Sequence, residues 1–213
     1  MAWTPYIDEA GERVPSVTTI ISRFKESGAL VHWAWKLGTE GKDYRAVKDA
    51  AADAGTCAHA MIEAHIKGQD FVREGWGAET LAKAETAFRA FKDWSDGTRL
   101  TPHASEVRML SKAMRCGGTA DIIVQSGNGL AIADVKTGSL YADHLYQVAA
   151  YAMLWDENHP ETPITGGYHL CRFNRESGDF SHSYFGDLEE AKRGFLLMRE
   201  LYDIDAKMKK RVK

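Results

Sequence analysis

With 213 residues and 44% apolar composition, the chain has the length of one domain and enough apolar content to bury a core. No run approaches the roughly 18 apolar residues that span a bilayer, and the opening Met1-Ala-Trp-Thr-Pro lacks the basic and apolar regions of a signal peptide, so a cytoplasmic protein without membrane spans is expected. A formal charge of −3 excludes a uniformly basic surface, yet it leaves room for a nucleic-acid site whose carboxylates are partly neutralised by a metal ion.

The first half reads as helical. Val14-Pro15-Ser16 leads into Val17, Ile20, Ile21 and Phe24 at helical spacing, with Ser16 as the cap. Further helices are expected over 30–37 and 40–52, then a short one over 56–67, ended by Gly68, with His59, Ile62, Glu63 and Ile66 along one face. Another spans 78–94, closed by Ser95-Asp96-Gly97. From Leu100 the period changes to short β-prone runs over 105–110, 119–125 and 130–136. The last two are joined by the turn Ser126-Gly127-Asn128-Gly129, and their near-continuous apolar content predicts central strands covered on both faces. A helix over 142–157 precedes a strand pair over 167–173 and 180–185. Asp187-Leu188-Glu189-Glu190 resembles a capping box opening a last long helix. This order predicts an α/β sandwich around a mixed β-sheet flanked by helices, not a doubly wound nucleotide fold. One domain is expected over 1–213, with 1–99 a mainly helical elaboration carrying His59 and 100–213 the sheet core and C-terminal helix.

The chemistry lies in the strands. Residues two apart share a strand face, so Asp134 and Lys136 project together with Leu130 and Ile132, while Val135 points away and offers its backbone carbonyl. That strand therefore runs from core into something polar, and its charges need partners. Asp121, set among Ala120, Ile122, Ile123 and Val124, is equally out of place, and splayed neighbouring strands could bring it and Asp134 to one cation. Hard oxygen donors suit magnesium or manganese, and a histidine nitrogen tilts the choice toward manganese. Such an ion polarises a phosphodiester oxygen and acidifies a water, while Lys136 can orient that water or stabilise the developing charge.

Together these residues resemble the RecB-like branch of the PD-(D/E)XK nuclease superfamily, whose pattern is a helical histidine, a Gly-x-x-Asp strand, an Asp-x-Lys strand and a Gln-x-x-x-Tyr helix. Here the elements are His59 in Gly55-Thr56-Cys57-Ala58-His59, Asp121 after Gly117-Gly118, Asp134-Val135-Lys136, and Gln147 with Tyr151. The resemblance implies a restriction-endonuclease-like core. It implies Mg2+ or Mn2+ held by His59, Asp121, Asp134 and the Val135 carbonyl, a catalytic Lys136, and Gln147 and Tyr151 positioning the site or DNA. It also implies a phage-type or bacterial exonuclease acting on DNA ends or single strands in recombination, replication or repair, with partner proteins from those processes. The opening Val14-Pro-Ser-Val-Thr-Thr-Ile-Ile21 is similar to the start of phage-encoded members. Two features depart from the pattern. Ala120 stands where proline is usual before the aspartate, and the cysteine quartet of the iron–sulfur members is missing, so no cluster is expected.

Other residues carry two readings. Glu63, one turn from His59, could hold its second nitrogen, contact a metal through water, or be an exposed acid. Glu106 could support the site from behind or be the polar half of Ser105-Glu-Val-Arg-Met. Gln147 and Tyr151 could be interface residues of an amphipathic helix, and His144 on their face is read as a wet helix-end histidine. Trp33, Trp35, Trp76 and Trp94 could stack on unpaired bases, with core packing the default. Cys57, Cys116 and Cys171, far apart and without Cys-x-x-Cys, are read as buried thiols, and the cations from Lys207 to Lys213 as a helix end suited to its dipole. The competing functions are a structure-selective or restriction-like endonuclease and a catalytically silent DNA-binding module of the same fold.

Overall fold

The computed structural model describes residues 4–25, 28–127 and 129–212. Met1 to Trp3 of the opening, Asn128 of the hairpin turn and Lys213 of the basic tail lie outside the described residues. The chain opens with β1 (Tyr6–Ile7) and β2 (Arg13–Val14), an antiparallel pair that its own alternation does not announce because each strand is two residues long. Its turn is set locally, with Asp8 Oδ1 accepting from the amides of Ala10 and Glu12. Ser16 then caps α1 (Val17–Phe24), its hydroxyl accepting from the amide of Thr19, as expected.

After α2 (Gly28–Thr39), the segments 40–52 and 56–67 are not two helices. They are the two ends of α3 (Tyr44–Ile66), which begins at Asp43, whose carboxylate caps the amide of Arg45. Gly55 reads as a helix breaker, yet the helix runs through it. A side chain there would put its Cβ 3.2 Å from Thr137 Oγ1, so glycine serves the close approach of α3 to the end of a strand. α4 (Ala78–Gly97) continues through Ser95-Asp-Gly97 instead of closing at Trp94.

Among the described residues the main sheet has five strands in the order β3 (Thr101–Ser111), β4 (Cys116–Ser126), β5 (Gly129–Lys136), β6 (Ile164–Phe173), β7 (Phe180–Phe185). β5 and β6 are parallel and the other pairs antiparallel, so the sheet is mixed. A parallel pair needs a crossover, and α5 (Asp143–Asn158) supplies it. α6 (Glu189–Arg211) closes the chain. Its expected capping box does not form. Asp187 Oδ1 accepts from the amide of Glu189, and Leu188 takes the cap position without a side-chain bond.

Two buried clusters clothe the sheet. On one face Ile123, Ile132 and Leu170 pack against α1, α5 and α6 through Ile20, Leu154 and Phe195. On the other, Ile122, Ala133, Val135 and Phe173 pack against α3 and α4 through Met61, Ala87 and Phe91. Alternate residues of β5 thus feed opposite cores, which explains its nearly unbroken apolar run. The helices of the first half are therefore the cover of one face and part of the other, since α1 contributes Val17, Ile20 and Ile21. Cys57, Cys116 and Cys171 are buried free thiols.

Candidate active site

The site begins where the sheet parts. The β4–β5 ladder runs from Ser126↔Gly129 to Ile122↔Ala133 and stops, leaving Asp121 and Asp134 as the next residues on diverging strands. β5 continues on its other edge, with Asp134, Val135 and Lys136 paired to Leu170, Cys171 and Arg172 of β6. Asp121 Oδ2 fills the break by accepting from the amide of Val135 at 2.7 Å. The N–H and C=O of one strand residue point to the same edge, so the Val135 carbonyl also faces this opening.

β3 and β4 both change facing at this level, while their pairing register holds from Ala104↔Ile123 to Ser111↔Cys116. Ala104, Val107 and Met109 all face the α5 side, as do Cys116, Ala120 and Ile123, so each strand changes parity once, around Glu106 and Asp121. Glu106 adopts φ 51°, a left-handed conformation uncommon for a side-chain-bearing residue. Here both carboxylates turn toward His59 on α3. His59 Nδ1 stands 3.6 Å from Asp121 Oδ1 and 3.7 Å from Glu106 Oε1, beyond good hydrogen bonds. One donor atom from each of the three lies within 4.8 Å of the other two. A divalent ion with bonds of about 2.1 Å holds its ligands roughly 3–4 Å apart, so the spacing suits an ion between them. Burial disfavours the imidazolium, but Asp121 and Glu106 override it and raise the His59 pKa to about 9. The cation stands in for positive charge that the two carboxylates demand.

Asp134 is fully buried, on the side facing α5. The Lys136 ammonium lies against its Oδ2 as an ion pair off hydrogen-bond geometry, so neither carboxylate oxygen receives a hydrogen bond. Burial raises its pKa to about 6, opposed by Lys136 and reinforced by Asp121. Burial also works against the charge of Lys136, but Asp134 and Asp121 hold its pKa above the usual range. A buried carboxylate whose Oδ1 has no partner, beside three spaced N and O donors, is a fit for a hard cation.

Tyr151 closes the α5 side. Gln147 Nε2 donates to its hydroxyl at 2.8 Å, and burial, then Asp121 and Asp134, push its pKa well above 10. Gly118 permits this packing, because a Cβ there would sit 2.7 Å from Tyr151 Cε1 and 2.9 Å from Leu154 Cδ1. Gly117 likewise admits the ring of Tyr6, whose Cδ1 would lie 2.0 Å from an added Cβ.

Thus His59, Asp121 and Glu106 converge, and Asp134, Lys136 and Tyr151 adjoin them without Asp134 joining the three-donor group. Glu63 borders the same small cavity, but its carboxylate holds Lys67 at 2.5 Å, and His59 Nδ1 faces Glu106 and Asp121 instead. His144 is half-buried; burial, then Lys136 and Lys25, lower its pKa to about 4, and its Nδ1 accepts from the amide of Tyr141. Beyond the sequence motifs, Arg172 is the strand partner of Lys136 and pairs with Asp179, and Arg175 Nη1 donates to Thr137 Oγ1 at 3.3 Å while its Nε pairs with Glu176, so each arginine here comes with a carboxylate. Of the tryptophans, Trp94 is core and Trp76 packs against it, whereas Trp35 is exposed on α2 beside His32, so core packing does not describe it.

A family model described as the PD-(D/E)XK nuclease superfamily matches residues 6–210. Comparison with proteins of curated function finds no match. A solved structure from Eubacterium rectale, named "Putative exonuclease", is similar at 12% identity and a TM-score of 0.46, over 70% of this chain and 64% of that one. The chain thus spans just under two thirds of that protein, and the likeness is too slight to carry an argument about activity.

Proposed function

The chain belongs to the PD-(D/E)XK nuclease superfamily, and on that premise we propose a divalent-metal-dependent deoxyribonuclease of its RecB-like, phage-type branch. The reading is an exonuclease acting on DNA ends or single strands in recombination, replication or repair. The observation that carries metal dependence is the donor set His59, Glu106 and Asp121, beside the buried Asp134 carboxylate that Lys136 holds.

In this reading His59 supplies a nitrogen, Glu106, Asp121 and Asp134 supply oxygens, and the Val135 carbonyl adds a neutral donor. A nitrogen among the oxygens favours Mn2+ relative to an all-oxygen site, with Mg2+ also accommodated. When bound, such an ion polarises the scissile phosphodiester and lowers the pKa of a water. Lys136, held in its charged form, stabilises negative charge building on the phosphoryl oxygens and orients the attacking water. Gln147 fixes the Tyr151 hydroxyl by donating to it, so the phenolic proton stays available to an acceptor on the Asp121 and Asp134 side. Arg172 and Arg175 are already paired with Asp179 and Glu176, so the charge toward the phosphate rests on Lys136 and the bound ion.

The test incubates purified protein with end-labelled linear DNA and covalently closed circles, in Mg2+, Mn2+ or chelator, beside Lys136→Ala. Linear DNA should be degraded only with metal, and the variant should be slower by about 100-fold or more. Nicking of closed circles would replace the exonuclease reading with an endonuclease. Intact DNA under every metal condition would remove the catalytic reading altogether.

A further inference from the structure

We infer that α6 is a dimerisation helix that pairs with α6 of a second copy of this chain, antiparallel, through an apolar seam unused within the fold. One face of α6 packs on α1 and α5 through Leu188, Ala191, Phe195 and the stem of Arg199. The far face carries Leu197, Leu201, Ile204 and Met208, exposed by 57, 46, 44 and 43%. Their spacing of four, three and four residues is that of alternating d and a positions in a heptad repeat. At 100° per residue the four fall within a sector of about 60°, centred about 150° from the buried face. A scatter of solitary exposed apolar residues is ordinary, but a seam of four in heptad register is the form that a second helix covers.

The charges beside the seam select the occupant and its direction. Glu200 and Lys207 occupy the two g positions next to it. The ion pairs along α6 join Glu189 to Lys192, Arg199 to Asp203 and Asp205 to Lys209. Among the described residues Glu200 and Lys207 take part in none of these, so both are available. In an antiparallel pair Leu201 meets Ile204 of the second copy and Leu197 meets its Met208. The same two-fold sets Glu200 beside Lys207 of the second copy, twice over. A parallel pair would instead set Glu200 beside Asp205 of the second copy, a carboxylate already held by Arg23 and Lys209, and so would give Glu200 no cation. The charges therefore favour the antiparallel direction, in which the two-fold makes the interface isologous.

The interface is short, so a weak dimer is expected, with a Kd on the order of tens of micromolar. Sedimentation equilibrium of the full chain should show a concentration-dependent monomer–dimer equilibrium. Leu201→Glu, at an exposed position that leaves the core intact, should raise the Kd at least about tenfold. Glu200→Lys and Lys207→Glu should each weaken association through like charges, and the double variant should restore it. Circular dichroism and the DNA degradation assay, unchanged in all of these, report that the fold persists independently of association. A monomer throughout the accessible concentration range, or a dimer indifferent to Leu201→Glu, overturns the inference. Failure of the double variant to recover overturns the antiparallel pairing.

Discussion

Glu106 holds a glutamate backbone at φ 51°, a conformation that costs on the order of 1 kcal/mol or more and persists only when its surroundings require it. The requirement here is chemical, because this conformation turns the carboxylate to His59 and Asp121. Metal affinity and backbone strain can be separated by substitution. Glu106→Ala and His59→Ala should each weaken Mn2+ binding by calorimetry about tenfold or more while leaving the circular dichroism spectrum unchanged. Glu106→Gly should lose the same affinity yet melt no lower than Glu106→Ala without metal, since glycine accepts positive φ. Titrations indistinguishable from wild type would take the substituted residue out of the ligand set. Asp121, Asp134, Lys136 and His59 were legible in the sequence because charged residues stood out from apolar strands or from the pattern of a known motif. Glu106 carried two readings, a supporting acid or the polar half of an alternating strand, and its place beside His59 depends on how β3 meets β4.

At the scale of elements, the β6–β7 hairpin carries a histidine chain that no motif announces. Trp94 Nε1 can only donate, and it lies 3.3 Å from His182 Nδ1, which therefore accepts. His182 Nε2–H then donates to His169 Nδ1 at 2.8 Å, leaving His169 Nε2–H buried without an acceptor. Burial, then His182, lowers the His169 pKa to about 4, and burial lowers that of His182. Each is thus neutral in the fold and must charge on unfolding below its ordinary pKa near 6.5. The unfolded chain binds the extra protons, so this part of the stability is complete above pH 6.5 and is lost as pH falls toward 4. Urea unfolding across that range should show a slope reporting proton uptake, smaller by about one proton in His169→Phe. Equal slopes would mean that His169 titrates normally in the fold. Most elements were legible from period and turn residues, but α3 was read as two because Gly55 breaks helices in isolation. Its contact with Thr137 lies 82 positions away in the chain and leaves no local trace.

At the scale of the whole molecule, the two cores share one sheet. β5 sends Ile132 to the cluster under α1, α5 and α6, and Ala133 and Val135 to the cluster under α3 and α4, so one strand contributes to both layers. The helical character of residues 1–99 suggested an elaboration beside a core, because a pattern of apolar residues tells which face of a helix is buried but not against what. Phe91 on α4 and Phe195 on α6 are fully buried on opposite sides. Truncating either to alanine removes apolar contact and leaves a cavity, at about 3–5 kcal/mol. If the sheet binds both layers into one cooperative unit, each variant should unfold in urea through a single transition at a lower midpoint, with the wild-type m-value. Tryptophan fluorescence and far-UV circular dichroism should report the same midpoint in each. A biphasic curve for Phe91→Ala, with α3 and α4 melting before the rest, would show two separable units. His59 and Asp121 would then belong to different units, and the donor set would disperse in an intermediate that retained much of the sheet. Coincident transitions instead tie the integrity of the site to the global fold, so that His59 reaches Asp121 only while both layers are in place.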